Sequence, residues 1–160
     1  METEEKEVFL YYFKNFLNWN EINLNCYINK GTVVITCDDL NNLAGSLNSL
    51  TANQLSTLTN TEFTSCQTLL GDASNAFSSD QLAVLVNTAK SINNNNVGSI
   101  SDSDIASLNA ILLGFSSTDL SQLVFTSITS ISAIGSLTGW TSSQVKYINY
   151  IFNTLLLQNN

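Results

Sequence analysis

One nine-residue pattern constrains this chain more than any other feature, and it occurs six times. It reads apolar, Ser/Thr, two free positions, Asp/Gln, apolar, two free positions, apolar. The copies are Ile35–Leu43, Leu50–Leu58, Phe77–Leu85, Ile100–Leu108, Phe115–Leu123 and Trp140–Ile148. Each reads as the start of a helix. The Ser/Thr is an N-cap whose hydroxyl accepts from a free backbone N–H of the first turn. The Asp/Gln three residues on reaches back to the cap's own N–H and completes a capping box. The apolar residue before the cap staples onto the one four positions into the helix, with Phe77 over Leu82 and Trp140 over Val145 as the heaviest pairs.

The spacing of the boxes adds an architecture. The caps stand at Thr36, Thr51 and Ser78, then at Ser101, Ser116 and Thr141, so the second trio is the first displaced by roughly 65 residues. Between the second and third boxes, Phe63–Gly71 loosely parallels Ile128–Gly135. The pattern predicts an all-α fold, a short-helix solenoid of the armadillo or HEAT kind, with two tandem repeat units and an N-terminal capping helix. The expected divisions are residues 1–35 (capping helix over 4–19 and a connector), 36–92 (unit one) and 101–158 (unit two). Helices are expected at 37–47, 52–58, 61–70 and 79–92, then at 102–113, 117–123, 126–134 and 142–157. The run Asn93–Gly98 between the units reads as a surface linker.

Composition narrows the chemistry. Only 11% of residues are charged, the net charge is -8, and there is no His, Pro or Arg. That sign argues against nucleic acid and anionic membrane as partners, because both require clustered Lys and Arg. Most acids have a structural task already: Glu2, Glu4, Glu5 and Glu7 fall in the first turns of the expected first helix, and Asp38, Asp39, Asp80, Asp102, Asp104 and Asp119 in those of boxed helices, where a carboxylate complements the helix dipole. Glu62 is expected to open the 61–70 helix. No apolar run approaches the roughly 20 residues of a membrane-spanning helix. The start, Met1-Glu2-Thr3-Glu4-Glu5, is acidic where a secretory signal would be basic.

No catalytic, cofactor-binding or metal site emerges. Without His there is neither an ordinary zinc site nor a Cys–His nucleophile. A Ser–Lys pair would need Lys90 or Lys146, and Ser142, four residues before Lys146, is better explained as a helix start. The glycines form no phosphate loop and the acids no calcium loop. Of the cysteines Cys26, Cys37 and Cys66, the last two fall where unit two has Asp102 and Ile131, so both are particular to unit one. They are candidates for a disulfide closing a loop of about 30 residues, worth roughly 3–4 kcal/mol in the chain-entropy model; for Cys37, in the first turn of a boxed helix, the alternatives are a buried, inert thiol and a thiol whose pKa the helix dipole lowers. No Asn-x-Ser/Thr acceptor occurs anywhere in the chain.

Residues 36–150 resemble the mesothelin–stereocilin–otoancorin family. Leu50-Thr51-Ala52-Asn53-Gln54-Leu55 is similar to that family's L-T-x-x-Q-L helix starts. Phe77–Leu85 after Leu70-Gly71, and Gly139–Val145, are similar to its repeating unit. The resemblance implies an armadillo-like superhelix, extracellular or at the cell surface, attaching cells to glycoproteins or gel-like matrices without catalysis. The family commonly carries Pro just after the cap, and this chain has none. No binding residue carries over, since the matching positions are caps and core. The expected function is therefore a non-catalytic adhesion or matrix-attachment module that binds a protein or glycoprotein, or copies of itself. The alternatives are an intracellular helical adaptor for peptides and a carrier for an apolar ligand.

Overall fold

A computed structural model describes residues 34–43 and 45–158, with side chains to Asn153. All but Val34 belong to the unit Ile35–Asn160. The expected capping helix over residues 4–19, and Cys26, lie outside the described residues. Among the described residues there is no strand, and the helices are α1 (Cys37–Asn42), α2 (Ala52–Leu55), α3 (Asn60–Ser65), α4 (Gln67–Leu70), α5 (Ser79–Ile92), α6 (Asp102–Leu108), α7 (Ser117–Leu120), α8 (Ile128–Ser136) and α9 (Ser142–Gln158). Short 3-10 turns stand at Leu47–Ser49, Ala73–Asn75, Val97–Ser99 and Asn109–Gly114.

The boxes work as their chemistry requires. At Thr36, Thr51, Ser78 and Ser116 the hydroxyl accepts from the N3 backbone N–H, and the N3 side chain accepts from the cap's N–H. Thr141 does the same with Gln144. Ser101 accepts from the Asp104 N–H, but the Asp104 carboxylate takes the Ser101 hydroxyl instead of its amide. Two more caps escape the pattern: Thr59 opens α3 and Ser127 opens α8.

Most helices are shorter than their periodicity predicts. The 37–47 helix stops at Asn42, short of Gly45, whose φ of +87° an L-residue adopts only with strain. The 61–70 helix is two pieces, α3 and α4, meeting at Cys66 with φ -108° and ψ 12°. It begins at Asn60, and Glu62 reaches across to accept from the Cys37 N–H at 2.6 Å. The 102–113 helix breaks at Asn109, whose φ is +34°, and continues as a 3-10 turn. Asn93–Gly98 is more than a surface linker. Asn94 and Asn95 take left-handed conformations that Asn tolerates, and Val97 is buried at the head of a 3-10 turn.

Staples are buried at four boxes: Ile35 with Leu40, Leu50 with Leu55, Ile100 with Ile105, and Phe115 with Leu120. The two expected heavy pairs are the exceptions. Phe77, Leu82 and Trp140 are only half-buried, and Val145 is exposed. There the helix is rolled so that Gln81 with Leu85, and Gln144 with Ile148, face inward. Packing runs between neighbours: α1 on α3, α2 and α3 on α5, α4 on α6, α5 on the 109–114 turn, α6 on α8, and α7 on α9.

Candidate functional site

Two of the buried glutamines explain the rolled helices. Gln81 accepts from the Ser78 N–H at 2.6 Å through Oε1, while its Nε2 donates to the carbonyls of Asn48 (3.0 Å) and Leu50. Gln144 accepts from the Thr141 N–H at 2.7 Å and donates to Leu113 (2.9 Å) and Phe115 (2.7 Å). One amide thus closes a capping box and ties the third box helix to the backbone entering the second. A carboxylate could not make the donated bonds, which explains Gln rather than Asp at these two boxes.

Cys37 and Cys66 meet where α1 packs on α3. The structure joins them in a disulfide with a Cα–Cα distance of 5.4 Å. Cys66 is buried and Cys37 half-buried. About 65 residues on, the same joint between α6 and α8 is closed without sulfur. The Asp102 carboxylate accepts from the Thr126 N–H at 2.9 Å and the Ser130 hydroxyl at 2.6 Å. Burial pushes the Asp102 carboxyl upward, but the hydroxyls of Ser127 and Ser130 and the N–H groups of Thr126 and Ser127 outweigh it and hold it at about 2.

The lysines considered for a Ser–Lys pair stand apart from any such chemistry. Lys90, in the last turn of α5, pairs with Asp119 at 2.8 Å. Burial raises the Asp119 carboxyl, and the Lys90 hydrogen bond, the Ser116 hydroxyl and the Lys90 charge more than offset it, so it titrates below the usual range. Lys146 and Ser142 are both exposed on α9. Among the described residues no three or more His, Cys, Asp or Glu side chains are placed to hold a metal ion, and no helix is long and apolar enough to cross a membrane.

One concave feature lies where α3, α4 and α5 meet α6. It is a cleft of about 70 Å³ walled by Phe63, Ala89, Ile92, Ile100 and Leu108. Its polar lining is Thr64, Gln67, Asn93 and Asp104. Ligand pockets for drug-sized molecules span about 300–1,000 Å³, so this cleft is too small for a lipid or sterol. Its donors are committed to backbone carbonyls: Thr64 to Asn60 at 2.9 Å, Gln67 Nε2 to Asp104 at 2.9 Å, and Asn93 Nδ2 to Ala89 at 3.0 Å. Gln67 Oε1 accepts no hydrogen bond although the residue is only 8% exposed. The cleft was not legible in the sequence, because its lining comes from four helices and the 3-10 turn before α6.

Comparison with protein-family models, with curated proteins and with solved structures gives no match.

Proposed function

We propose that this chain is a non-catalytic binding module, extracellular or at the cell surface, attaching to a protein or glycoprotein partner or to copies of itself. It acts through the faces of a short-helix solenoid with two tandem units. The observation that carries the compartment is the Cys37–Cys66 disulfide, a bond that persists in oxidising surroundings and is rare in reducing ones. Support for the tandem units comes from recurring chemistry. The Gln81 and Gln144 clamps have the same three partners at an offset of 63–65 residues, and the α1–α3 joint recurs as α6–α8. Packing from neighbour to neighbour is the contact pattern of a solenoid. The surface chemistry fits a large polar partner. Exposed Ser, Thr and Asn side chains dominate the outer faces, and such neutral groups suit wet, hydrogen-bonded contacts.

Two measurements test the reading. Protein from its native source is alkylated without reduction and weighed intact; one modified cysteine is expected, and three would put the intracellular peptide adaptor first. Sedimentation from micromolar to high micromolar concentration, alongside a panel of immobilised glycoproteins, tests the activity. A chain that stays monomeric and binds none of them is not an adhesion module.

A further inference from the structure

The two sulfurs of the Cys37–Cys66 bond are unequally placed. Cys66 is only 3% exposed, at the kink between α3 and α4, whereas Cys37 is half-buried at the start of α1. A thiol from solvent therefore reaches the bond at Cys37 and expels the sulfur of Cys66. The ground around Cys37 is acidic. Glu62 accepts from the Cys37 N–H at 2.6 Å. That nitrogen is three bonds from Cys37 Sγ, which places the Glu62 carboxylate within about 7 Å of the sulfur. Asp38 follows Cys37 directly and is exposed, and Asp39 comes next, holding the Thr36 N–H and hydroxyl. Among the described residues the lysines are Lys90, paired with Asp119, and Lys146, on α9, so none lies on α1, α3 or α4. An attacking thiolate is itself negative. These carboxylates oppose its approach, and a positive charge beside its sulfur offsets that opposition. The leaving side has a donor ready: Asn41 Nδ2 lies 3.6 Å from Cys37 Sγ and 3.9 Å from Cys66 Sγ, where it meets charge that builds on sulfur.

We propose that Cys37 is a thiol-exchange site, and that it takes the cysteine of a basic segment of a partner protein as a mixed disulfide. The partner's thiolate, its proton already lost to water, attacks Cys37 Sγ. A bond forms between the partner's sulfur and Cys37, the Cys37–Cys66 bond breaks, and its electron pair leaves on Cys66 Sγ. Cys66 regains a proton from water, and the Cys37 carbonyl, 3.4 Å from its sulfur, accepts from the new S–H. One disulfide is consumed and one is formed, so no outside oxidant or reductant is needed. The inference rests on the same bond that carries the extracellular reading, and it makes one contact of the binding module covalent.

The test uses the folded chain with any free thiol first alkylated. It is incubated with three tripeptides, acetylated and amidated at their ends: Lys-Cys-Lys, Gln-Cys-Gln and Glu-Cys-Glu. The products are trapped with iodoacetamide and mapped by mass spectrometry. The peptide is expected on Cys37 and the alkyl group on Cys66, at a rate proportional to peptide concentration. Corrected for thiolate fraction, the rates should fall in the order basic, neutral, acidic, with about tenfold between the ends at low salt. Salt at about 1 M should shrink that ratio severalfold, since it screens the carboxylates. Glu62→Gln keeps an acceptor for the Cys37 N–H and should narrow the low-salt ratio to about threefold. The peptide on Cys66, equal rates for the three peptides, a ratio unmoved by salt, or a ratio unmoved by Glu62→Gln would each overturn the proposal. So would a rate independent of peptide concentration, which marks a bond reached only when the chain unfolds. If Glu62→Gln does not fold, the salt dependence of the unaltered chain decides. A native chain with its disulfide intact that binds a glycoprotein, yet exchanges without regard to charge, refutes this site and leaves the module reading standing.

Discussion

Gly71→Ala tests the packing of α4 on α6 through the sign of its effect. Gly71 has φ -75° and ψ -9°, a conformation that alanine takes freely. On local grounds the substitution should stabilise the chain by about 0.4–1 kcal/mol, because alanine loses less freedom on folding. The surroundings say the opposite. A Cβ at Gly71 would lie 2.1 Å from the Ser107 carbonyl oxygen and 2.9 Å from that of Leu108, where real Cβ contacts essentially never fall under 3.0 Å. The obstructing atoms are backbone, so no side chain can rotate aside. The Gly71 carbonyl also accepts from the Ala110 N–H at 2.9 Å, which ties the same two segments together. Separating them by about 1 Å sacrifices that bond and opens the core around Leu70 and Leu108. Overpacking costs typically 1–3 kcal/mol, and with rigid backbone on the far side the upper end, about 3 kcal/mol, is expected. In a chain of this length that lowers Tm by roughly 6–12 °C. Thermal unfolding by far-ultraviolet circular dichroism measures it. Gly98→Ala, whose Cβ meets nothing nearer than 3.3 Å, is the control and should move Tm by only a few degrees. A Gly71→Ala protein as stable as the parent or more so would refute this packing.

Three further outcomes follow from the same geometry. Reducing the Cys37–Cys66 bond, which spans 29 residues, should lower unfolding free energy by about 3–4 kcal/mol in the chain-entropy model, read from urea melts with and without reductant. Gln81→Leu and Gln144→Leu each strand two carbonyls and one N–H, and each should cost about 2–4 kcal/mol. Gln54→Leu loses only its own box contacts to Thr51 and should cost less by the same melts. The Asp102 carboxyl is lowered on folding, so its contribution is present above its unfolded value of 3.8 and is lost as pH falls towards about 2. Asp102→Asn should therefore be less stable than the parent at neutral pH, and the difference should shrink between about pH 4 and pH 2 in acid titrations.

What the sequence made legible was local chemistry. A cap hydroxyl, its N3 acceptor and a staple lie within six residues, so Thr36, Thr51, Ser78, Ser116 and Thr141 could be read directly. Helix ends were less legible, because they are set by contacts distant in sequence. The break at Asn109 stands opposite Gly71, and the kink at Cys66 carries its sulfur to Cys37; neither depends on local propensity. Which face of a helix is buried also escaped the pattern at the third boxes. Phe77 and Trp140 are the largest apolar residues there, yet the inward positions go to Gln81 and Gln144. A buried amide with three backbone partners outweighs one more apolar contact, and hydrophobic spacing alone cannot register that. Phe63 is fully buried beneath a cleft whose opposite wall, Leu108, lies 45 positions away.

The two α1–α3-type joints bear on function as well as fold. Between α1 and α3 the contact is covalent, and Glu62 adds a bond to the Cys37 N–H; between α6 and α8 it is held by one carboxylate and its hydroxyl and amide donors. A disulfide holds regardless of pH but fails with a reductant. A carboxylate cluster resists reductant but fails in acid. The α1–α3 joint is thereby sensitive to redox surroundings and the α6–α8 joint to acidity. The same account explains five of the eight acidic residues among those described. Asp39 and Asp119 close capping boxes, Asp102 and Glu62 close joints, and Asp104 takes the Ser101 hydroxyl. Among the described residues, negative charge is thus mostly occupied in starting and joining helices, and neutral Ser, Thr and Asn dominate the exposed positions.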